Sequence, residues 1–164
     1  FLFGKTAPVR SLSGKVPIAM GTDSTLTGNA TLFEELRTAQ EESLLSAMKL
    51  FTLVTESPRT IFRLPPDAGT LRQGGKADLF LLRAEMENAF ETLLTANPGD
   101  ISLLMRDGRV VFHEPSIFPK LTNSGVGAPV RLNGRMKSVQ SPRFSKIYEE
   151  LKPFLHHYTY LNSD

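Results

Sequence analysis

The alternation of apolar and polar positions over the first 58 residues predicts one strand and two helices. Residues 16–20 form an uninterrupted apolar run, which is typical of a strand covered on both faces in a parallel sheet. Thr31 and Glu34 have the spacing of a capping box and begin a helix with apolar residues every three or four positions. Ser43 is predicted to cap a second helix. Its apolar stripe consists of Leu44, Ala47, Met48, Phe51 and Val54.

Beyond Pro58 the pattern changes to short apolar runs separated by proline and glycine, as between strands. Residues 77–83 and 100–114 are two such runs, and the pair Asp107-Gly108 inside the second predicts a tight β-hairpin. Between the two runs, residues 84–97 have the apolar spacing of a helix. The middle of the chain therefore predicts strands with one helix among them.

The last part of the chain begins with a loop rich in proline, serine and glycine, residues 115–129. Asn133-Gly134 then predicts a second hairpin. Ser141 as N-cap and Pro142 at the first helical position predict a closing helix, which Pro153 would end.

Composition excludes several functional classes for these 164 residues, a length that suits one domain or parts of two. The 19 basic and 17 acidic residues leave a net charge of +2, and the basic residues are scattered, so nucleic-acid binding is not expected. The absence of cysteine excludes disulfides, thiolate metal sites and a cysteine nucleophile, and is compatible with a reducing compartment. The longest apolar stretch, residues 44–54, is too short to span a bilayer and contains Lys49.

Asp23 follows the apolar run 16–20 and is the principal candidate for chemistry. Parallel α/β barrels hold their catalytic groups at the carboxyl ends of strands, and an acid in this place fits that arrangement. A Gly-Thr-Asp-Ser sequence is equally typical of an Asx-type loop or a helix-capping stretch. The residues alone leave these interpretations open.

The stretch VPIAMGTDSTLTGNATLFEELRTA, residues 16–39, resembles the last barrel strand of the metal-dependent amidohydrolase superfamily, especially its cytosine deaminase and chlorohydrolase-like branch. Thr55 at a helix end, Gly69 to Leu71, and Gly75 to Leu79 are similar to the motifs that follow in that family, in the same order. The turn at residues 107–109 resembles one in the family's small β-sandwich domain. The resemblance covers about residues 9–113, and residues 115–164 carry no matching motif.

The resemblance implies an α/β fold class with three segments. Residues 1–58 would be the C-terminal end of a (β/α)8 TIM barrel, its last strand and helices. Residues 59–118 would be part of a small β-sandwich domain, and residues 119–164 a helical C-terminal extension with a hairpin.

The same resemblance implies the C-terminal part of a metal-dependent hydrolase, which we expect to be cytoplasmic. Such an enzyme acts on C–N or C–Cl bonds of a small heterocyclic substrate through metal-bound hydroxide, with zinc or iron in the complete enzyme. Asp23 would contact the metal and take a proton from the attacking water. Thr22 and Ser24 would contact the substrate.

The family's histidine ligands are not matched here. His113, His156 and His157 all follow the barrel segment, and a packed or surface imidazole is the simplest reading of His113. We therefore expect this chain alone to be inactive and to bind no metal tightly. The incomplete barrel predicts self-association or an upstream segment that completes it. The scattered basic residues and the short apolar stretch predict no nucleic acid or membrane as partner. The alternative is a non-catalytic structural or interaction module that retains the barrel edge and sandwich.

Overall fold

A computed structural model describes residues 7–43, 45–83, 86–120, 127–151 and 153. The chain divides into two compact units. The first unit comprises residues 1–76 and 84–96, and the second comprises residues 77–83 and 97–164.

The first unit is helical in its described part. Its helices are α1 (Val9–Leu12), α2 (Leu32–Ser43), α3 (Ala47–Val54), α4 (Glu56–Ile61) and α5 (Ala89–Thr95). Helices α2, α3 and α5 pack against one another around a small apolar core. That core contains Phe33, Leu36, Leu50, Leu53, Leu93 and Leu94. Arg37 on α2 fixes the end of α5, since its Nη1 donates to the carbonyl oxygens of Leu94 and Ala96 at 3.2 and 2.8 Å.

The predicted capping box at the start of α2 is confirmed. The backbone N–H of Thr31 donates to Glu34 Oε2 at 3.0 Å, and the N–H of Glu34 donates to Thr31 Oγ1 at 3.3 Å. The predicted cap of the next helix is wrong. Ser43 is the last residue of α2, with its hydroxyl donating to the Ala39 carbonyl, and Ser46 caps α3 instead. Leu44 lies outside the described residues.

Two short helices were not expected from the sequence, α1 and α4. Pro58, which we interpreted as the start of the strand region, lies in the first turn of α4, where a backbone N–H has no intrahelical acceptor to lose. Helix α5 is shorter than predicted. It begins at Ala89, because Asn88 caps it by accepting a hydrogen bond from the Phe90 N–H, and residues 84–85 lie outside the description.

The predicted buried strand at residues 16–20 is wrong. The segment has no strand structure, and Val16 is 49% exposed. A backbone hydrogen bond does join the Met20 N–H to the Leu53 carbonyl at 3.1 Å, on α3. A β-strand is defined by hydrogen bonds to a neighbouring strand, and no described segment lies beside residues 16–20 as a second strand. No closed barrel is present among the described residues.

The second unit contains one five-stranded antiparallel sheet in its described part. The strands are β1 (Leu79–Leu82), β2 (Ile101–Arg106), β3 (Arg109–His113), β4 (Ala128–Leu132) and β5 (Arg135–Val139). Their order across the sheet is β1-β2-β3-β5-β4, and helix α6 (Pro142–Leu151) follows. The hairpin of the predicted extension, residues 119–164, thus shares a sheet with the predicted sandwich segment, residues 59–118. No second sheet that would make a sandwich occurs in the described ranges.

Both predicted hairpins and the closing helix are confirmed. Asp107 and Gly108 have φ values of 49° and 73°, and Asn133 and Gly134 have 45° and 77°, as a two-residue hairpin turn requires. Ser141 caps α6 by accepting a hydrogen bond from the Phe144 N–H at 3.2 Å. Among the described helices, none is both long and apolar enough to cross a membrane.

Candidate functional site

Asp23 lies on an exposed loop of the first unit, and its backbone has a φ of 51°. Aspartate tolerates this left-handed conformation better than most residues. Thr27 Oγ1 donates to Asp23 Oδ2 at 3.0 Å, which orients the carboxylate. The Ser24 carbonyl accepts from the N–H groups of Thr27 and Gly28 at 3.0 and 2.8 Å. The loop is therefore a compact, hydrogen-bonded turn that presents one carboxylate.

The two predicted substrate-contacting residues flank Asp23 on this loop. Ser24 is exposed, and its Oγ lies 3.2 Å from Thr27 Oγ1, so Ser24 and Asp23 share the same hydroxyl partner. Thr22 is half-buried at the start of the loop, where its carbonyl oxygen faces Gly28. The structure thus gathers Thr22, Asp23 and Ser24 around one turn, and their proposed roles stay a prediction.

The far end of the loop is joined to helix α2 by side chains that the sequence analysis did not single out. Glu35 Oε1 accepts a hydrogen bond from the Asn29 N–H at 2.5 Å. One helical turn further, Thr38 Oγ1 accepts from Asn29 Nδ2 at 3.0 Å. The capping-box signal at Thr31 and Glu34 located the helix start but not these two contacts.

A cavity of about 410 Å³ lies next to the loop in the first unit. Its wall is formed by α1, residues 18–21, α2 and Leu53. Gly21 belongs to that wall, whereas Asp23, two residues later, is not among the lining residues. Charged side chains of Arg10, Glu35 and Glu42 give the cavity a polar side.

Comparison with known proteins identifies the family to which this chain belongs. A model of the amidohydrolase family matches residues 5–111, which is well over half of the chain. This chain is a member of the amidohydrolase family. Neither the curated proteins nor the solved structures gave a match. The amidohydrolases are hydrolases and are generally metal-dependent, and the matched segment includes Asp23.

The described residues of this amidohydrolase chain do not by themselves compose a metal site. Where the structure describes the chain, no three His, Cys, Asp or Glu side chains come together as metal ligands would. A catalytic zinc site takes three protein donors, and the Asp23 carboxylate could supply one oxygen donor. His113 is fully buried in β3, as a packed imidazole, and burial lowers its pKa. His156 and His157 lie outside the described residues.

A buried ionic cluster in the second unit was not expected from the sequence. Glu114 accepts hydrogen bonds from Arg83, from Lys137 Nζ at 3.0 Å and from Ser116 Oγ at 3.1 Å. The Lys137 side chain is fully buried and that of Glu114 is 8% exposed. Both Glu114 and Lys137 lie beyond the family match.

The electrostatics of this cluster follow from its burial. Burial raises the pKa of Glu114, but the hydrogen bonds from Arg83 and Lys137 outweigh that effect and lower the pKa to about 2. Burial lowers the pKa of Lys137, against the opposing effect of Glu114. Glu114 is therefore a carboxylate at neutral pH whose charge is balanced by neighbouring cations.

Proposed function

We propose that this amidohydrolase chain is the C-terminal part of a metal-dependent hydrolase of the cytosine deaminase and chlorohydrolase-like branch. The substrate is a small heterocycle, from which hydrolysis releases ammonia when a C–N bond is cleaved, or chloride when a C–Cl bond is cleaved. The observation that carries the proposal is the oriented Asp23 carboxylate on a loop inside the family match.

The divalent cation of such an enzyme, zinc or iron, would lower the pKa of a bound water to about 7 and supply hydroxide at neutral pH. Asp23 acts as the general base in this proposal. The Thr27 hydroxyl, which donates to Oδ2, would hold this carboxylate in a fixed orientation for the proton transfer. Thr22 and Ser24, on either side, would hold the substrate by their hydroxyl groups.

The remaining donors of the site would come from another segment of polypeptide. Residues 16–20 are apolar and have no neighbouring strand among the described residues, and Val16 is 49% exposed. An upstream segment that pairs with this run would both cover its apolar side chains and bring ligands to Asp23. A second copy of the chain is the alternative partner for the same run.

The test compares residues 1–164 alone with the same residues supplied with the upstream reading frame. Bound zinc and iron are measured by elemental analysis, and ammonia and chloride release are assayed on a panel of amino- and chloro-heterocycles. We expect metal and turnover in the longer protein, and loss of turnover by at least a hundredfold in Asp23→Ala. Glu41→Ala, which removes an exposed carboxylate from α2, is the matched control and should leave turnover unchanged.

Turnover that survives in Asp23→Ala would refute the role of this residue. Metal-free protein without turnover in both forms would favour the second candidate, a non-catalytic structural or interaction module. The lack of a three-donor cluster in the described part of the chain is the observation that keeps that candidate open.

A further inference from the structure

We propose that Glu35 is a positioning residue that holds the loop bearing Asp23 in the geometry needed for proton transfer. This inference rests on the proposed function of Asp23. Glu35 lies on α2 and acts through the backbone of the loop, because its Oε1 is occupied by the Asn29 N–H.

The loop end is held by a pair of contacts on one face of α2. Glu35 and Thr38 are three residues apart, so they lie on the same side of the helix and receive the backbone and the side chain of Asn29 together. The bond from Asn29 to Glu35 has an acidic acceptor, and such bonds are stronger than those between neutral groups. The capping box at Thr31 and Glu34 fixes the start of the same helix, which gives Glu35 a rigid base.

Gly28 connects the contact between Asn29 and Glu35 to the beginning of the loop. A Cβ atom placed on Gly28 would lie 2.4 Å from Glu35 Oε1 and 2.9 Å from the Thr22 carbonyl oxygen. Both distances are closer than a Cβ atom approaches its neighbours in proteins, so the Glu35 carboxylate and the Thr22 carbonyl each lie directly against Gly28. The Glu35 carboxylate thus lies against the loop at Gly28 as well as at Asn29.

Two more hydrogen bonds lie between Gly28 and the Asp23 carboxylate. Gly28 N–H donates to the Ser24 carbonyl at 2.8 Å, and Thr27 Oγ1 donates to Asp23 Oδ2 at 3.0 Å. The carboxylate of Asp23 is exposed, and the loop that carries it is held to the helix at its other end. Removing the Glu35 carboxylate leaves the Asn29 N–H without this acceptor and makes the loop from Asp23 to Asn29 more mobile.

The first experiment needs no turnover. Hydrogen exchange at the Asn29 amide is measured by NMR in residues 1–164 for Glu35→Ala, Glu35→Gln and the control Glu41→Ala. We expect exchange at least tenfold faster in Glu35→Ala. Glu35→Gln keeps an acceptor oxygen without the charge and should give an increase smaller than that of Glu35→Ala, whereas Glu41→Ala should stay within threefold of the parent. Gly28→Ala perturbs the same packing from the loop side and should also speed exchange.

The second experiment uses the form that shows turnover. Glu35→Ala should lower kcat at least tenfold with KM within threefold, and Glu35→Gln should restore most of kcat. In an Asp23→Asn background, Glu35→Ala should cause no further loss beyond twofold, because it acts through Asp23. A residue with a merely structural role would lower kcat by the same factor in both backgrounds.

The two possible failures are distinguishable. Unchanged Asn29 exchange in Glu35→Ala would show that Glu35 does not hold the loop, and equal losses of kcat in both backgrounds would show that it does not act through Asp23. Either result overturns this inference and leaves the proposed function standing. Full turnover in Asp23→Asn overturns the proposed function, and with it the kinetic part of the inference.

Discussion

Replacing Glu114 by glutamine should destabilise the second unit strongly at neutral pH. The variant keeps the shape and one acceptor oxygen but removes the charge that balances Lys137, which is fully buried. A buried charge without its partner typically costs about 3–5 kcal/mol. Arg83, at 35% exposure, can turn toward water when Glu114 is neutral, whereas Lys137 cannot.

The magnitude follows from the pKa of Glu114. A fall from 4.5 in the unfolded chain to about 2 in the folded protein corresponds to about 3 kcal/mol of stability. Because the folded pKa is the lower one, this stability is fully present above about pH 4.5. It is lost as the pH falls toward 2. Burial lowers the pKa of Lys137, so the charged lysine opposes folding at neutral pH and offsets part of the gain.

Tyrosine fluorescence is a suitable assay for this unit. The chain has no tryptophan, and all three tyrosines lie between residues 148 and 160, with Tyr148 buried in α6. Urea unfolding would be followed at pH 7 and at intervals between pH 5 and pH 2. We expect Glu114→Gln to lower the unfolding free energy at pH 7 by about 3 kcal/mol and to flatten its dependence on pH below 4.5.

Two further variants make the result decisive. Glu150→Gln, at an exposed carboxylate of α6, should change the unfolding free energy by less than about 0.5 kcal/mol. Lys137→Met added to Glu114→Gln should recover part of the lost stability, because it removes the unbalanced charge. A Glu114→Gln protein with the parent's acid dependence, or one destabilised by less than about 1 kcal/mol, would refute the assignment of the low pKa.

Two predictions concern the fold. Gly108→Val places a β-branched side chain at a φ of 73° and should destabilise the first hairpin by about 1–2 kcal/mol. The loss is measured by tyrosine fluorescence in urea, and an unchanged unfolding midpoint would contradict the turn assignment. Leu50→Ala removes a fully buried side chain of α3 and should destabilise the first unit by about 2–5 kcal/mol, measured by circular dichroism at 222 nm; a loss no larger than that of exposed Met48→Ala would contradict the core assignment.

The elements that the sequence predicted correctly are those specified by a few adjacent residues. A type of turn that needs positive φ at two consecutive positions selects Asp-Gly and Asn-Gly, so residues 107–108 and 133–134 located both hairpins. A capping box likewise depends on two residues three positions apart, Thr31 and Glu34. Each signal is sufficient because its hydrogen bonds close within the segment itself.

The elements that were missed depend on partners distant in the sequence. Lys137 occurs in a strand whose alternation is compatible with an exposed lysine. Its burial is evident only in the folded sheet, where it pairs with the buried Val130 of β4. Residues 16–20 have the composition of a strand, but composition supplies no neighbour, and without one the run makes no ladder. The apolar pattern therefore indicates what the segment can form and not what it pairs with.

The position of Asp23 combines both kinds of information. Its place after an apolar run singled it out, although that run is not a strand in the described residues. A strand end would have fixed the carboxylate through the sheet. Without such a strand, three contacts order the loop. The Asn29 N–H donates to Glu35, Gly28 packs against the Thr22 carbonyl, and the Thr27 hydroxyl donates to Asp23. In the described residues, the contacts of Asn29 and Gly28 with Glu35 on α2 therefore contribute most to where the Asp23 carboxylate lies.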